Sequence, residues 1–576
     1  MNPKTALLVM TRKLILLGSM FRADLYRRWL KVVDTFRPIN STFTVAQIIA
    51  ITSLVTGYSF MLLWNPVLGS PDDVFFFKTL EQGKFLNYYN DIFPYLDVRK
   101  FGRLTLFAGW EYNVALLFGN TAVSAQIVHA VQYAVFVILG VHVLRYFTGS
   151  TWLGFAAIVF ISFSPGFLES WFQRHLNERN LLLWLVIYLF CRIRLKETRG
   201  KHYVILAILS AFVAVNYRET AFIPLCVMSV LWLAVMNKSG QSLSHKFVDT
   251  AVLVVSFLYI TYYFIEITPQ VISYQFSTAH LNKNENFSLI YAKAFVLCIL
   301  RDPLSFFTVV LGFPFLLYKR FCRNEVRPGL DLLVLLAGGG ALLLACWVLM
   351  LFTAKYTLIT LFLSVPGVVY LIRMCKMRWL ALLVMLLPAI SLLKAPYYIE
   401  YYLKDPSNFN QTIEFLASRL QQRPHSDEVK TRVYVPYLYA GHNTFLFIHE
   451  FLVYKGAKNF DLLTMNQEFS SECGSRISLL GDGELIDGFS SCGPSRKPQR
   501  GDLILVSNKF RTDANMPMVH DGVEYSRIWS VGARSLPGID LECVARYVVY
   551  GAKNIGIKDC GESGRHNTEF SVLMVN

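Results

Sequence analysis

Apolar runs of about twenty residues recur along the first 395 positions of this chain, and no other feature narrows its possible folds so sharply. The earliest, FTVAQIIAITSLVTGYSFMLLW over residues 43–64, carries no charged side chain. A helix of about 20 residues crosses the hydrocarbon core of a bilayer. In lipid the backbone must satisfy its own polar groups, and a helix does so. Comparable runs lie near 123–147, 151–168, 180–195, 203–216, 221–236, 247–265, 303–318, 329–353, 357–372 and 379–393. Only 16% of the 576 residues are charged, against about a quarter in a soluble chain. The sequence predicts a polytopic α-helical membrane protein with about eleven spans. Its net charge of +16 is no argument for nucleic acid, because in a membrane chain the placement of Lys and Arg matters more than their sum.

That placement orients the chain. Residues 1–42 include YRRWLK and read as a basic, amphipathic cytoplasmic segment without a cleavable signal peptide. The connections CRIRLKETRGK, YKRFCRNEVR and RMCKMR are dense in Lys and Arg and belong inside. The intervening connections, ESWFQRHLNER among them, are sparser and mixed in sign. Residues 43–395 form the membrane domain, with a first outer loop at 65–122. Within that loop RKFGRLTLFAGWEYNVALLFG reads as a helix lying on the interface.

Beyond Lys394 the composition turns polar. Strand-like runs TRVYVP, DLILVS and ARYVVYG alternate with turn-rich segments and a helical stretch at 440–454. Residues 396–576 predict a soluble α/β or α+β domain on the outer side. Four of the ten cysteines, Cys473, Cys492, Cys543 and Cys560, fall there. An even number in an exported domain fits two disulfides, with four free thiols as the alternative and no pairing fixed by sequence.

With the chain threaded, isolated polar residues sort to one side. Asp72 and Asp73 follow the first span directly. Arg103, His175, Glu178, Arg179, Arg218, Glu219, Lys355 and Tyr356 share that outer side. Charges at span ends are costly to bury and face a cavity, a partner or water. Their recurrence on several outer connections predicts one shared polar site. Each also has a plainer reading. The Asp pair can cap a helix, Arg218 and Glu219 can pair with each other, and Lys355 can snorkel to the interface.

SPDD at Asp72–Asp73, FGRLTLFAGWEYNVALLFG, FQRHLNERN, NYRETAF and KYTLITLFLSVP together resemble the GT-C superfamily of membrane glycosyltransferases. That group includes protein mannosyltransferases and lipid A aminoarabinose transferases. The resemblance implies transfer of a sugar from a polyprenyl-phosphate donor to a glycan, lipid or protein acceptor on the outer face, with inversion. It implies Asp72 as general base, with Asp73 orienting it. Arg103, Arg179, Arg218, Lys355 and Tyr356 would bind the donor phosphate, and Glu178, Glu219 and His175 would orient cations or sugar. Lys355 stands where the family usually has Arg, which removes paired donors at that position. No cofactor is implied, although a divalent cation at Asp72 and Asp73 is compatible with two adjacent acids. The implied setting is a bacterial inner membrane with the site facing the periplasm. A lipid-linked glycan flippase, a surface-polysaccharide polymerase and an oligosaccharyltransferase are the competing functions.

Overall fold

In the computed structural model the chain is predominantly helical, with one small sheet. Described are residues 43–64, 66–67, 106–119, 121–174, 176–236, 243–268, 295, 299, 302–322, 329–349, 354–374, 392, 395–422, 431–435, 441–458, 460–464, 499–507, 519–520, 523–532 and 570–576. The chain divides into a unit ending at Ser53 and a second running from Leu54 to Asn576. The first is described over residues 43–53, helical from Val45. Among the described residues six helices are long and apolar enough to cross a membrane, or seven if one bent pair is a single span. This is an integral membrane protein.

Helix α1 is Val45–Leu63. Helix α2, Ala122–Thr148, begins at a reciprocal cap in which Thr121 Oγ accepts the Ser124 amide and Ser124 Oγ accepts the Thr121 amide. It ends at Gly149, whose φ of 69° and bond to the Arg145 carbonyl close the helix. Helix α3, Thr151–Ser162, returns against it. At Gly154 a Cβ would stand 3.0 Å from both the Arg145 nitrogen and the Val141 carbonyl, so only glycine lets the two backbones approach. Helix α4, Pro165–Phe172, departs from α3 at 66°. The expected continuous span at 151–168 is therefore broken, because Pro165 starts a new helix and cannot donate into the old one.

Helices α5 (Glu178–Thr198), α6 (Lys201–Tyr217) and α7 (Phe222–Met236) occupy the next three expected spans. They fall outside the six for definite reasons. Helix α5 carries charges at both ends, and α6 and α7 have 17 and 15 residues. Helix α8, Leu243–Tyr262, runs into a π turn at Tyr263–Ile267. Short α9, Pro303–Phe307, joins α10, Phe313–Cys322, through a second π turn at Thr308–Gly312. Pro314 has no N–H to donate four residues back, so the helical register loosens just before it. Helices α11, Leu330–Val348, and α12, Ala354–Met374, complete the membrane part. The expected span at 379–393 lies outside the described residues apart from Leu392.

The two ends of α5 are tied separately to its neighbours. At its C-terminal end Arg192 pairs with Asp249 of α8 and lies 3.5 Å from the Trp232 ring centroid of α7. Asp331 of α11 accepts from Trp232 Nε1 (3.1 Å), Lys196 Nζ (3.0 Å) and the Tyr146 hydroxyl of α2 (2.9 Å). Arg192 and Asp249 are buried, and charges so buried persist only when paired and hydrogen-bonded. Arg179, at the opposite end of the same helix, lies about 20 Å away by helical rise.

Helix α13, Ala395–Gln421, reaches from the membrane helices to the sheet. Near its start Tyr402 stacks on Phe172 of α4. Further on, Phe409, Ile413, Leu416 and Leu420 enter a core with Ile448, Phe451 and Leu452 of α14 (Gly441–Tyr454) and the inner face of the strands. The strands are β1 Thr431–Val435, β2 Phe460–Thr464, β3 Leu503–Ser507, β4 Val519–His520, β5 Val523–Val531 and β6 Phe570–Val575. Their order is β2-β1-β3-β6-β5-β4, with β2, β1 and β3 parallel and the remaining pairs antiparallel. The parallel pair β1–β2 is connected through α14, as parallel strands require. The expected strand ARYVVYG and Cys473, Cys492, Cys543 and Cys560 lie outside the described residues.

Asp302 caps α9 by accepting the Ser305 amide and hydroxyl. Burial pushes its carboxyl up to about 6, against the opposing pull of hydrogen bonds from Ser305 and Thr357. The protonated form is thus favoured by folding. Its contribution is full below the ordinary carboxyl range near pH 4 and is lost as pH rises through about 6. Asp302→Asn is expected to flatten that stretch of the stability profile, read as unfolding midpoints of both proteins from about pH 4 to about pH 7.

Candidate functional site

Two charged groups meet at the end of the bundle where α5 begins. The first is built under the 3-10 helix Trp110–Phe118, within the segment expected to lie on the interface. Its apolar residues Trp110, Val114, Leu117 and Phe118 are exposed, while Glu111 and Tyr112 are buried. Such inversion suits a helix with lipid on one side and a polar cluster beneath it. Arg179 Nη2 donates to Glu111 Oε1 at 3.0 Å and to the Tyr112 hydroxyl at 3.2 Å. Arg179 Nε donates to Gln132 Oε1 and Nη1 to the Ser170 carbonyl. Asn180 Nδ2 donates to Glu111 Oε1 at 2.5 Å, and the Tyr217 hydroxyl to Glu111 Oε2 at 3.2 Å. Burial pushes the Tyr112 hydroxyl well above its ordinary range, so it stays protonated.

The second group adjoins the first through neighbouring positions on α5. Successive helical residues point about 100° apart, so Arg179 turns to Glu111 while Glu178 turns to Arg218. Arg218 breaks the chain out of α6 with extended φ and ψ of −151° and 125°. Its Nη2 lies 3.0 Å from Glu178 Oε1 and its Nη1 3.8 Å from Glu219 Oε1. The guanidinium carbon lies 5.2 Å from the Tyr356 ring centroid at the start of α12, and Lys355 Nζ lies 5.5 Å from the same ring. Lys355 Nζ in turn is 3.7 Å from Glu169 Oε1 of α4. One aromatic ring thus has two cations within 6 Å of its centroid, each balanced by carboxylates, a stabilising arrangement for guanidinium and ammonium alike.

Of the residues singled out by sequence, Glu178, Arg218, Glu219, Lys355 and Tyr356 come together in this second group. Arg179 does not offer itself to a ligand. Its side chain is fully buried and engaged on every side, so the expected phosphate ligand is a strut. Asp72, Asp73, Arg103 and His175 lie outside the described residues. The sequence reading missed Glu169, which sits in an otherwise apolar helix with nothing to distinguish it. It also missed the joint role of Glu111, Tyr112, His129, Asn180 and Tyr217. His129, an ionisable residue within the span α2, carried the one available signal.

Arg174 completes the cluster. Its Nη1 donates to the Val67 carbonyl at 2.9 Å, which holds the backbone five residues ahead of Asp72. Burial, and next the Glu169 carboxylate, raise the Tyr402 hydroxyl well above its usual range, which places the start of α13 beside the same group. Arg218, buried, and Lys355, partly buried, lie among acids and hydroxyls, and cations so placed can stabilise an anion brought against them. Among the described residues no group of three His, Cys, Asp or Glu side chains is placed to hold a metal ion.

No family model matches the chain, and no curated protein matches it. Solved structures do. The chain is similar to an archaeal oligosaccharyltransferase. One is the crystal structure of the Archaeoglobus fulgidus enzyme with zinc and sulfate: 14% identity and a TM-score of 0.39, over 70% of this chain and 61% of that one. Another is AglB of the same organism with an inhibitory peptide and a dolichol-phosphate: 12% identity and a TM-score of 0.38, over 71% of this chain and 64% of that one. The chain therefore spans less than two thirds of either structure's length, and a likeness this distant carries nothing about the reaction.

Proposed function

We propose that this chain is a membrane glycosyltransferase of GT-C type that moves a sugar from a polyprenyl-phosphate donor to an acceptor hydroxyl or amide. The observation that carries the reading is the meeting of Arg218, Lys355 and Tyr356 at one end of the bundle, beside the point where Arg174 grips the backbone leading to Asp72. In this reading Asp72 takes the acceptor proton, and the acceptor atom bonds to the anomeric carbon from the face opposite the phosphate. The bond from that carbon to the phosphate oxygen breaks, and its electron pair leaves on the lipid phosphate. Arg218 and Lys355, with Arg103 as a further ligand, stabilise the charge that develops there. Glu178, Glu219 and Glu169 hold the two cations in place, and Asp73 orients the base or the acceptor. The site faces the outside of the membrane, the periplasm in a bacterium. The soluble region after Lys394 recognises the acceptor.

Transfer of radiolabelled sugar from a panel of polyprenyl-phosphate donors by the purified chain tests this reading. Turnover, or slow donor hydrolysis without acceptor, is the expected result. Lys355→Ala is expected to lower kcat/KM by about 10- to 150-fold, the loss of one charge-assisted contact at about 1.5–3 kcal/mol. Saturable donor binding with no chemistry under any condition would point to a carrier.

A further inference from the structure

Asp302 does more than the start of a helix requires. One side-chain oxygen is enough to cap α9, and Ser, Thr or Asn would supply it without burying a carboxyl group. Asp302 is buried, with Oδ1 accepting the Ser305 amide at 3.1 Å and Oδ2 accepting the Ser305 hydroxyl. The same carboxyl also accepts a hydrogen bond from Thr357, a buried residue in the first turn of α12. At about pH 7.5, above the value of about 6 to which burial raises it, the carboxyl is ionised and can only accept. The bond from Thr357 is then charge-assisted, and it joins two helices.

Those helices run side by side in one direction. Asp302 meets Thr357, Ser305 Oγ lies 3.3 Å from Ser364 Oγ, and a Cβ on Gly367 would stand 3.1 Å from Thr308 Cγ2. The Ser364 hydroxyl is also engaged by the Thr360 carbonyl of its own helix, so the bond from Thr357 is the firmer tie. Along the first turn of α12 successive side chains point about 100° apart. Lys355 reaches Glu169 of α4, Tyr356 stands beside the Arg218 guanidinium, and Thr357 turns to Asp302. Lys355 and Thr357 therefore leave the helix about 160° apart, on nearly opposite sides. A turn held from both sides cannot rotate about its axis without breaking one hold. The Lys355–Glu169 contact, 3.7 Å between two partly exposed side chains, is the softer of the two.

We propose that Asp302, acting through the Thr357 hydroxyl, is a positioning residue for the transfer: it fixes the rotation of the first turn of α12 and with it the direction of Lys355. The proposal rests on the reading of the chain as a transferase with Lys355 on the donor phosphate. A buried acid at this helix start, where a neutral cap would serve α9 alone, is what the second helix requires.

The test compares Thr357→Val with Thr357→Ser in the full-length purified protein at about pH 7.5, where the Asp302 carboxyl is ionised. Valine keeps the shape and loses the hydroxyl, whereas serine keeps the hydroxyl and loses the methyl group. Thr357→Val is expected to lower kcat/KM about tenfold, within what a misplacement of about 1 Å can cost. Thr357→Ser should stay within about threefold of wild type. Asp302→Ser caps α9 but is too short to serve Thr357 as well, and should match Thr357→Val. Added to Lys355→Ala, Thr357→Val should cost no more than about a further twofold, since the group it displaces is already gone. Hydrogen exchange in the peptide covering residues 354–364 reads the hold without turnover, with the β1 peptide as a control for global folding. Thr357→Val should speed it about tenfold and Thr357→Ser should leave it near wild type. Unchanged exchange in Thr357→Val overturns the hold whether or not the chain transfers sugar. Faster exchange with unchanged kcat/KM, or a full tenfold loss on top of Lys355→Ala, overturns the positioning role and leaves the transferase reading standing. Greater damage from serine than from valine makes Thr357 a packing residue and overturns the proposal as well. A wild type that turns over no donor sinks the transferase reading and the positioning role with it, while exchange alone then judges the hold.

Discussion

Arg179→Ala is expected to destabilise this protein more than any other single substitution at the cluster, by about 3–5 kcal/mol. The guanidinium is fully buried and serves Glu111, Gln132, Tyr112 and the Ser170 carbonyl together. Its removal leaves Glu111 buried with only the neutral donors Asn180 and Tyr217 to hold it. An ion pair in this setting contributes little net stability over an apolar replacement, but half of one is costly. Removing the second charge as well, in Arg179→Met with Glu111→Gln, should recover part of the loss. The exposed pair Lys404–Glu400 on α13 provides the contrast: it is hydrated on the outer face of a helix, and Lys404→Ala should shift stability by no more than about 0.5 kcal/mol. Melting of the detergent-solubilised proteins would rank the three. A small shift for Arg179→Ala, equal to that of Lys404→Ala, would mean that Glu111 is not held as described.

Arg218→Ala is expected to produce the largest loss among the cations facing the proposed donor, about 10²–10³-fold in kcat, as when one aimed donor is taken from a developing anion. Because Glu178 is buried and would be left without its cation, part of any loss could come from misfolding. Arg218→Ala combined with Glu178→Gln reduces that ambiguity, since the buried partner at 3.0 Å is then uncharged. The double variant should melt closer to wild type and remain as inactive as the single one. Arg218→Lys keeps a charge but loses the planar pair of donors, and should recover only a minor fraction of activity. Recovery of full activity in the double variant would make Arg218 a structural partner of Glu178 and nothing more.

Much of the architecture was legible because hydrophobic length is a physical requirement of the bilayer. Runs near 123–147, 247–265, 303–318 and 357–372 coincide with α2, α8, the α9–α10 pair and α12. The departures have local causes. At Pro165 a single apolar run divides into α3 and α4, and at Pro314 a helix relaxes into a π turn, since a hydropathy window does not register a missing N–H. The site was legible as a set of positions on one side, but its partners were not. Adjacent Glu178 and Arg179 look equivalent in sequence, and the 100° turn between them sends one to Arg218 and the other to Glu111. Glu169 reads as one acid in an apolar helix until α12 brings Lys355 beside it. Arg174 and Val67 stand 107 positions apart, a separation over which no local pattern operates.

The measurement closest to the central claim compares wild type with Asp72→Asn in transfer from the best polyprenyl-phosphate donor, with donor binding measured on both. The amide keeps the shape of the side chain and cannot take a proton from the acceptor. The account predicts that Asp72→Asn binds donor like wild type and loses transfer by at least about 10²-fold, the usual contribution of a positioned base. Equal turnover in the two proteins would contradict it and place the base elsewhere, with Asp73 first in line.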